Sequence, residues 1–131
     1  MSQKPTELEL KILSVLWDDG ELTVREVLEK IPDDRKRAYT TVLSTMQVMK
    51  EKKGLLDRRE DGAAHVYFAL VQRDEVMKPV IGQMLSTVFG GKPSALLQCL
   101  LDDEEVDGDE LTEIRRLIRQ HADKNKKQKG E

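Results

Sequence analysis

Between residues 37 and 45 the chain sets Arg37, Tyr39, Thr40, Thr41, Ser44 and Thr45 in a run of short hydroxyls behind a guanidinium. Hydroxyls of this size can hydrogen-bond base edges or phosphates, and a threonine methyl can meet the methyl of thymine. Basic side chains bracket the run, with Arg35, Lys36 and Arg37 ahead and Lys50, Lys52 and Lys53 behind. Lys50 and Lys53 in particular would hold phosphates beside a base-reading surface. Arg58 and Arg59 extend the basic stretch, and only Glu51 and Asp57 oppose it between residues 35 and 59. The plain alternative is a surface helix whose hydroxyls cap its own backbone and whose lysines face water. Tyr39 likewise has two readings: stacking on a sugar or bonding a phosphate, or packing at the start of its helix.

No other residue set matches a chemistry. His65 and His121 stand far apart with no cysteine or carboxylate at ligand spacing, so no metal site is expected. Ser44 has no His–Asp partnership to activate it, and no glycine-rich phosphate loop occurs. The acidic run from Asp102 to Glu105 reads as a solvated loop. The chain is therefore not expected to be an enzyme, to need a cofactor or to take a small-molecule substrate.

The elements that must position the hydroxyl run follow from local signals. Thr6-Glu7-Leu8-Glu9 is a capping box, and Leu10, Leu13, Leu16 and Trp17 follow at helical spacing until Asp18-Asp19-Gly20. Glu21-Leu22-Thr23 suits a very short strand. A second capping box, Thr23-Val24-Arg25-Glu26, opens a short helix that Pro32 ends. The third helix runs from about Ala38 to Lys53, with Val42, Leu43, Met46 and Met49 inward and Gly54 as its cap. Two β-type runs, Leu55 to Arg59 and Val66 to Leu70, join through Glu60-Asp61-Gly62-Ala63, where Asp-Gly signals a hairpin. Three helices and a hairpin in this order make a winged helix-turn-helix over residues 1–72. Near its tip, Arg58 and Arg59 would track a minor groove or its phosphates, or else sit in an ordinary solvated turn, as His65 is expected to do.

Past Val71 the helical period returns. Val76, Met77, Val80, Met84, Leu85 and Val88 recur at steps of three and four, and Pro79 should kink this helix or mark its first turn. Gly90-Gly91 breaks the chain before a short apolar helix, Ala95 to Leu101. Asp107 then caps a last helix carrying Leu111, Ile114, Leu117 and Ile118. Three short helices cannot build a core alone. Val80, Met84, Leu85, Val88, Leu96, Leu97, Leu100, Leu101, Leu111 and Ile114 need a partner surface, and a second copy of the chain is the economical one. Residues 73–122 are therefore read as a helical dimerisation module, and 123–131 as a basic disordered tail. The fold class is mainly α with a small antiparallel β-wing.

Net charge is −3 over 131 residues, which as a sum disfavours nucleic acid. The acidity gathers at Asp18, Asp19 and Glu21 and between Asp102 and Glu110, leaving one basic face. Cys99 is the single cysteine, so no intrachain disulfide can form, and among Leu96, Leu97, Leu100 and Leu101 it reads as a small buried apolar residue. The first residues carry no apolar run, and no stretch approaches the roughly 20 residues that span a bilayer. A cytoplasmic protein without membrane insertion is expected.

Four places resemble the penicillinase-repressor family of bacterial winged-helix regulators. These are Glu7-Leu8-Glu9 through Leu16-Trp17; Thr23 to Val27; Tyr39 to Leu43 with Met46 and Lys53-Gly54-Leu55-Leu56; and Phe89-Gly90-Gly91 with Ser94 to Leu97. The resemblance reaches about Gln120. It implies a homodimer that binds a palindromic double-stranded operator and blocks transcription. It also implies release by a membrane sensor-protease that cuts the C-terminal module, by position at Cys99-Leu100. The Asn-Phe pair cut in the best-known members is not present here. Nor is the Cys-x-Cys hook of the copper-responsive branch, so no copper site is expected. A winged-helix module that binds protein in place of DNA is the alternative, and the basic stretch from Arg35 to Arg59 argues against it.

Overall fold

A computed structural model describes residues 5–32 and 36–128, so Arg35 lies outside the described residues. The chain divides into two compact units, Met1–Ile81 and Gly82–Glu131.

The first unit opens as its capping signals dictate. The Glu9 N–H donates to Thr6 Oγ1 at 3.1 Å and the Thr6 N–H donates back to Glu9 Oε1 at 2.9 Å, starting α1 (Glu7–Asp19). Thr23 and Glu26 repeat the exchange at 3.2 and 2.9 Å to start α2 (Val24–Lys30), directly after the two-residue strand β1 (Leu22–Thr23). Each box satisfies two amides that a helix otherwise leaves open. The Thr23 amide and hydroxyl hold the Glu26 carboxyl below its ordinary range. Its help to α2 is thus present at neutral pH and fades as acid protonates it. Thr6→Ala is expected to lower stability by about 1 kcal/mol, read as an earlier midpoint in urea unfolding at unchanged slope.

The third helix, α3 (Tyr39–Glu51), ends where Gly54 adopts a φ of 65° and the Leu55 N–H returns to the Met49 carbonyl at 2.9 Å. Only glycine enters that region without strain. Strands β2 (Leu56–Asp61) and β3 (Ala64–Ala69) form the wing. Asp61 pairs with Ala64, so the loop is Gly62-Ala63, and the expected Asp-Gly turn is displaced by one residue. Of the two loop residues only Gly62 carries a positive φ, 63°, which fits a turn with glycine at its first loop position. The sheet order is β1-β3-β2, antiparallel throughout, with Leu22 opposite Tyr67.

Ile12, Leu13 and Leu16 of α1, Val24 and Val27 of α2, and Val42, Met46 and Met49 of α3 close on Leu56 and Tyr67 of the wing. Leu43, expected inward, is half-buried at the edge of this core. Trp17 is partly buried, and its indole N–H donates to the Val71 carbonyl at 2.9 Å. Arg73 stacks on the same ring at 5.2 Å and pairs with Asp18 at 2.9 Å. The start of α4 (Arg73–Val88) is thereby fastened to the end of α1.

Pro79 lies inside α4 rather than in its first turn, removing the amide that would answer the Glu75 carbonyl. The second unit contains the rest of α4, α5 (Pro93–Leu101) and α6 (Gly108–Gln128). The Glu110 N–H donates to Asp107 Oδ1 at 2.9 Å, the expected cap. The helix then continues to Gln128 through most of the segment read as a disordered tail. Asn, Lys and Gln there are compatible with helix, and no glycine or proline intervenes before Gly130. Among the described residues no helix is long and apolar enough to cross a membrane.

Candidate nucleic-acid interface

The inward residues of α3 at 42, 46 and 49 turn its opposite side outward by helical period. Thr40, Thr41 and Ser44 are exposed there, Tyr39 is 40% exposed, and Thr45 is half-buried. Two of these hydroxyls have a local use. Thr45 Oγ1 donates to the Thr41 carbonyl at 2.8 Å and Ser44 Oγ to the same oxygen at 3.4 Å. Their protons are directed along the helix, while their oxygen lone pairs remain able to accept. Ala38, at the N-cap, makes no side-chain cap bond, unlike Thr6 and Thr23. The opening amides of α3 thus have no side chain of the cap residue over them.

The bracketing cations divide into different roles. Lys36 is exposed and Lys50 half-buried, while Arg37 is half-buried and engaged within the chain. Lys53, expected to hold phosphate, is paired within the chain. Its ammonium lies 2.7 and 3.0 Å from the two oxygens of Glu9, a carboxylate that is only 3% exposed. The physical reason is plain: Glu9 is carried inward by the first turn of α1, and a buried carboxylate requires a counter-charge.

The wing arginines also have partners. Arg58 Nη1 donates to Tyr67 Oη at 3.1 Å, with the guanidinium 5.9 Å over that ring. Arg59 Nε donates to Glu21 Oε1 at 2.7 Å, and this carboxylate keeps the guanidinium still more firmly protonated. The bond to Glu21 occupies Arg59 Nε, and the side chain is otherwise half exposed. His65 faces Glu60 across the hairpin at 3.9 Å and is exposed.

One residue outside the expected set belongs to this surface. Arg25, on α2, places its guanidinium 5.2 Å over the Tyr39 ring. Together with Thr23, Leu43, Ala64 and His65 the pair lines a cleft of about 400 Å³ between the starts of α2 and α3 and the tip of the wing. The signal was available in outline, because a helix-turn-helix lays its first helix across the backbone its second helix reads.

Beyond residue 81 the apolar positions stay at the surface. No side chain of α4 or α5 is buried. Val80, Leu85, Leu96, Leu97 and Ile114 are half-buried, whereas Met84, Val88, Leu100, Leu101 and Leu111 are exposed. Cys99, expected to be buried, is exposed as well. Its neighbours Leu96 and Leu97 take the half-buried positions of α5, leaving Cys99 and Leu100 outward. Leu97, Leu101, Leu111, Ile114 and Ile118 line an apolar cleft of about 450 Å³ between α5 and α6.

Comparison with known proteins matches residues 5–120 to the family described as penicillinase repressor. The transcriptional regulator BlaI of Mycobacterium tuberculosis is 32% identical over 115 residues, 86% of this chain and 80% of that protein. The methicillin resistance regulatory protein MecI of Mammaliicoccus sciuri is 22% identical over 110 residues, covering 84% and 89% of the two chains. Among solved structures, the DNA-binding domain of the repressor BlaI aligns with a TM-score of 0.45 at 20% identity, over 57% of this chain and 93% of that one.

Proposed function

We propose that this chain, which belongs to the penicillinase repressor family, is a cytoplasmic repressor that binds a palindromic operator as a homodimer. The observation that carries the reading is the exposed hydroxyl face of Thr40, Thr41 and Ser44 on α3. Small polar side chains let the helix backbone approach base edges closely, and the amides at the start of α3 suit a phosphate. Tyr39 and Thr45 flank the reading face. Lys36, Arg37 and Lys50 supply charge near the operator backbone, and Arg58 and Arg59 extend it along the wing. Lys53 drops out of this set because Glu9 holds it.

The C-terminal apolar side chains are assigned to the partner protomer. Release by a membrane sensor-protease would require cutting Cys99-Leu100, a bond inside α5. Proteases take extended backbone, so α5 must first open at that point.

A gel shift against the DNA upstream of the chain's own gene tests the reading. Thr41→Ala is expected to abolish the sharp complex, while Lys124→Gln, on exposed α6, leaves it intact. Equal effects of the two substitutions would count against α3 as the reading helix. Affinity should also fall steeply with salt, since several phosphates are neutralised at once.

A further inference from the structure

The cleft between α2, α3 and the wing contains a cation that the helix-reading scheme leaves unused. Arg25 is exposed, it makes no ion pair among the described residues, and the Tyr39 ring beneath it at 5.2 Å limits where it can point. A guanidinium already stacked on an aromatic face loses less side-chain freedom when it takes up an anion. Thr23 and His65 add polar groups to the walls, and Leu43 and Ala64 make the rest apolar. On the wing side, Glu60 lies 3.9 Å from the imidazole of His65. Glu26, next to Arg25 in sequence, spends one oxygen on the Thr23 amide at 2.9 Å. The result is a notch of mixed polar and apolar lining with one planar cation, beside the start of the helix assigned to base reading.

We propose that this notch is a clamp for a single phosphodiester of the operator backbone, held by the Arg25 guanidinium with the Tyr39 hydroxyl as second donor. The inference rests on the DNA-binding reading given above. Arg25 is then a register-setting residue: by fixing one phosphate beside the first turn of α3, it sets which bases Thr40, Thr41 and Ser44 can reach. A planar fork suits phosphate in two-point contact, whereas a lysine would supply only a point charge.

The test is equilibrium binding of the full chain to its upstream DNA fragment over a salt series. Arg25→Gln is expected to weaken binding about tenfold for each protomer bound, the scale of one charge-assisted hydrogen bond. It should also reduce the slope of log affinity against log salt by about one for each protomer bound. Arg25→Lys should restore the slope but not the affinity, and Tyr39→Phe should lower affinity at unchanged slope. Lys124→Gln removes a charge of the same sign from α6 and should change neither quantity. Unfolding midpoints of the variants, expected to stay close to the parent because these side chains are exposed, separate binding from folding.

Any competition by inorganic phosphate, added at constant ionic strength, should be weaker against Arg25→Gln than against the parent chain. Full affinity and an unchanged slope in Arg25→Gln would overturn the clamp. No binding by the parent chain would instead overturn the DNA-binding reading itself, and the clamp with it.

Discussion

Lys53→Met is expected to destabilise the first unit by about 3 kcal/mol while leaving the salt dependence of DNA binding unchanged. Among the described residues Glu9 is the one charged residue buried in the core, 3% exposed. Its carboxylate accepts the Thr6 N–H at 2.9 Å and is otherwise neutralised by the Lys53 ammonium at 2.7 and 3.0 Å. Methionine preserves most of the lysine stem, so packing changes little and the lost charge dominates. What remains is a carboxylate out of water with one amide for company, and stranding a buried charge is far costlier than removing a surface pair. Glu9→Gln alone should cost less, because Lys53 is 22% exposed and its ammonium can turn toward water. Combining Glu9→Gln with Lys53→Met should recover most of the loss, since the remaining amide is neutral and can still cap Thr6.

Urea unfolding measures all three variants, with midpoint shifts at constant slope as the expected outcome. A loss under about 1 kcal/mol in Lys53→Met would mean that Glu9 is not stranded. A reduced salt slope in a still-folded Lys53→Met chain would return this lysine to the phosphate contacts. The pair also joins the first turn of α1 to the exit of α3, so its loss should loosen the segment that launches the wing.

The contrast between Lys53 and Lys50 explains how much of the molecule could be read from residue order. Caps depend on spacings of three residues, which is why Thr6 with Glu9, Thr23 with Glu26 and Asp107 with Glu110 were legible. Helical period likewise located Met46 and Met49 in the core. Partners of charges are a different matter. Lys53 finds Glu9 across 44 positions and Arg59 finds Glu21 across 38, and no local pattern announces either. A run of lysines is legible as charge but not as orientation. The same limit hid Arg25, whose meaning depends on α2 and α3 meeting at Tyr39. Cys99 failed for another reason: its apolar neighbours implied burial, but one chain alone supplies nothing on that side to bury it.

That missing surface leads to the expectation for Leu101→Glu and Leu111→Glu. On the proposed homodimer, each is expected to give a monomer of 15.0 kDa and to weaken operator binding by about a hundredfold or more. Helices α4 and α5 have no buried side chain, and Leu100 and Ile118 are each 53% exposed. Apolar surface in this quantity is unfavourable in water and marks a place where another surface closes. Leu101 and Leu111 both line the cleft between α5 and α6, where Arg115 is the one charged side chain of the lining, so a carboxylate at either would have to be desolvated on association in a mainly apolar setting. Within the isolated protomer both positions are exposed, 37% and 42%, so the substitutions should leave the protomer fold nearly intact. The size of the binding loss follows from linkage. When two reading helices are tied together, the second half-site is met at high effective concentration, and a monomer forfeits that gain without losing any contact. Affinity for a single half-site should therefore be unchanged. Sedimentation equilibrium gives the mass, and parallel titrations of whole-operator and half-operator DNA give the ratio. A Leu101→Glu chain that stays dimeric would place the interface elsewhere. A monomeric variant with undiminished whole-operator affinity would separate dimerisation from repression altogether.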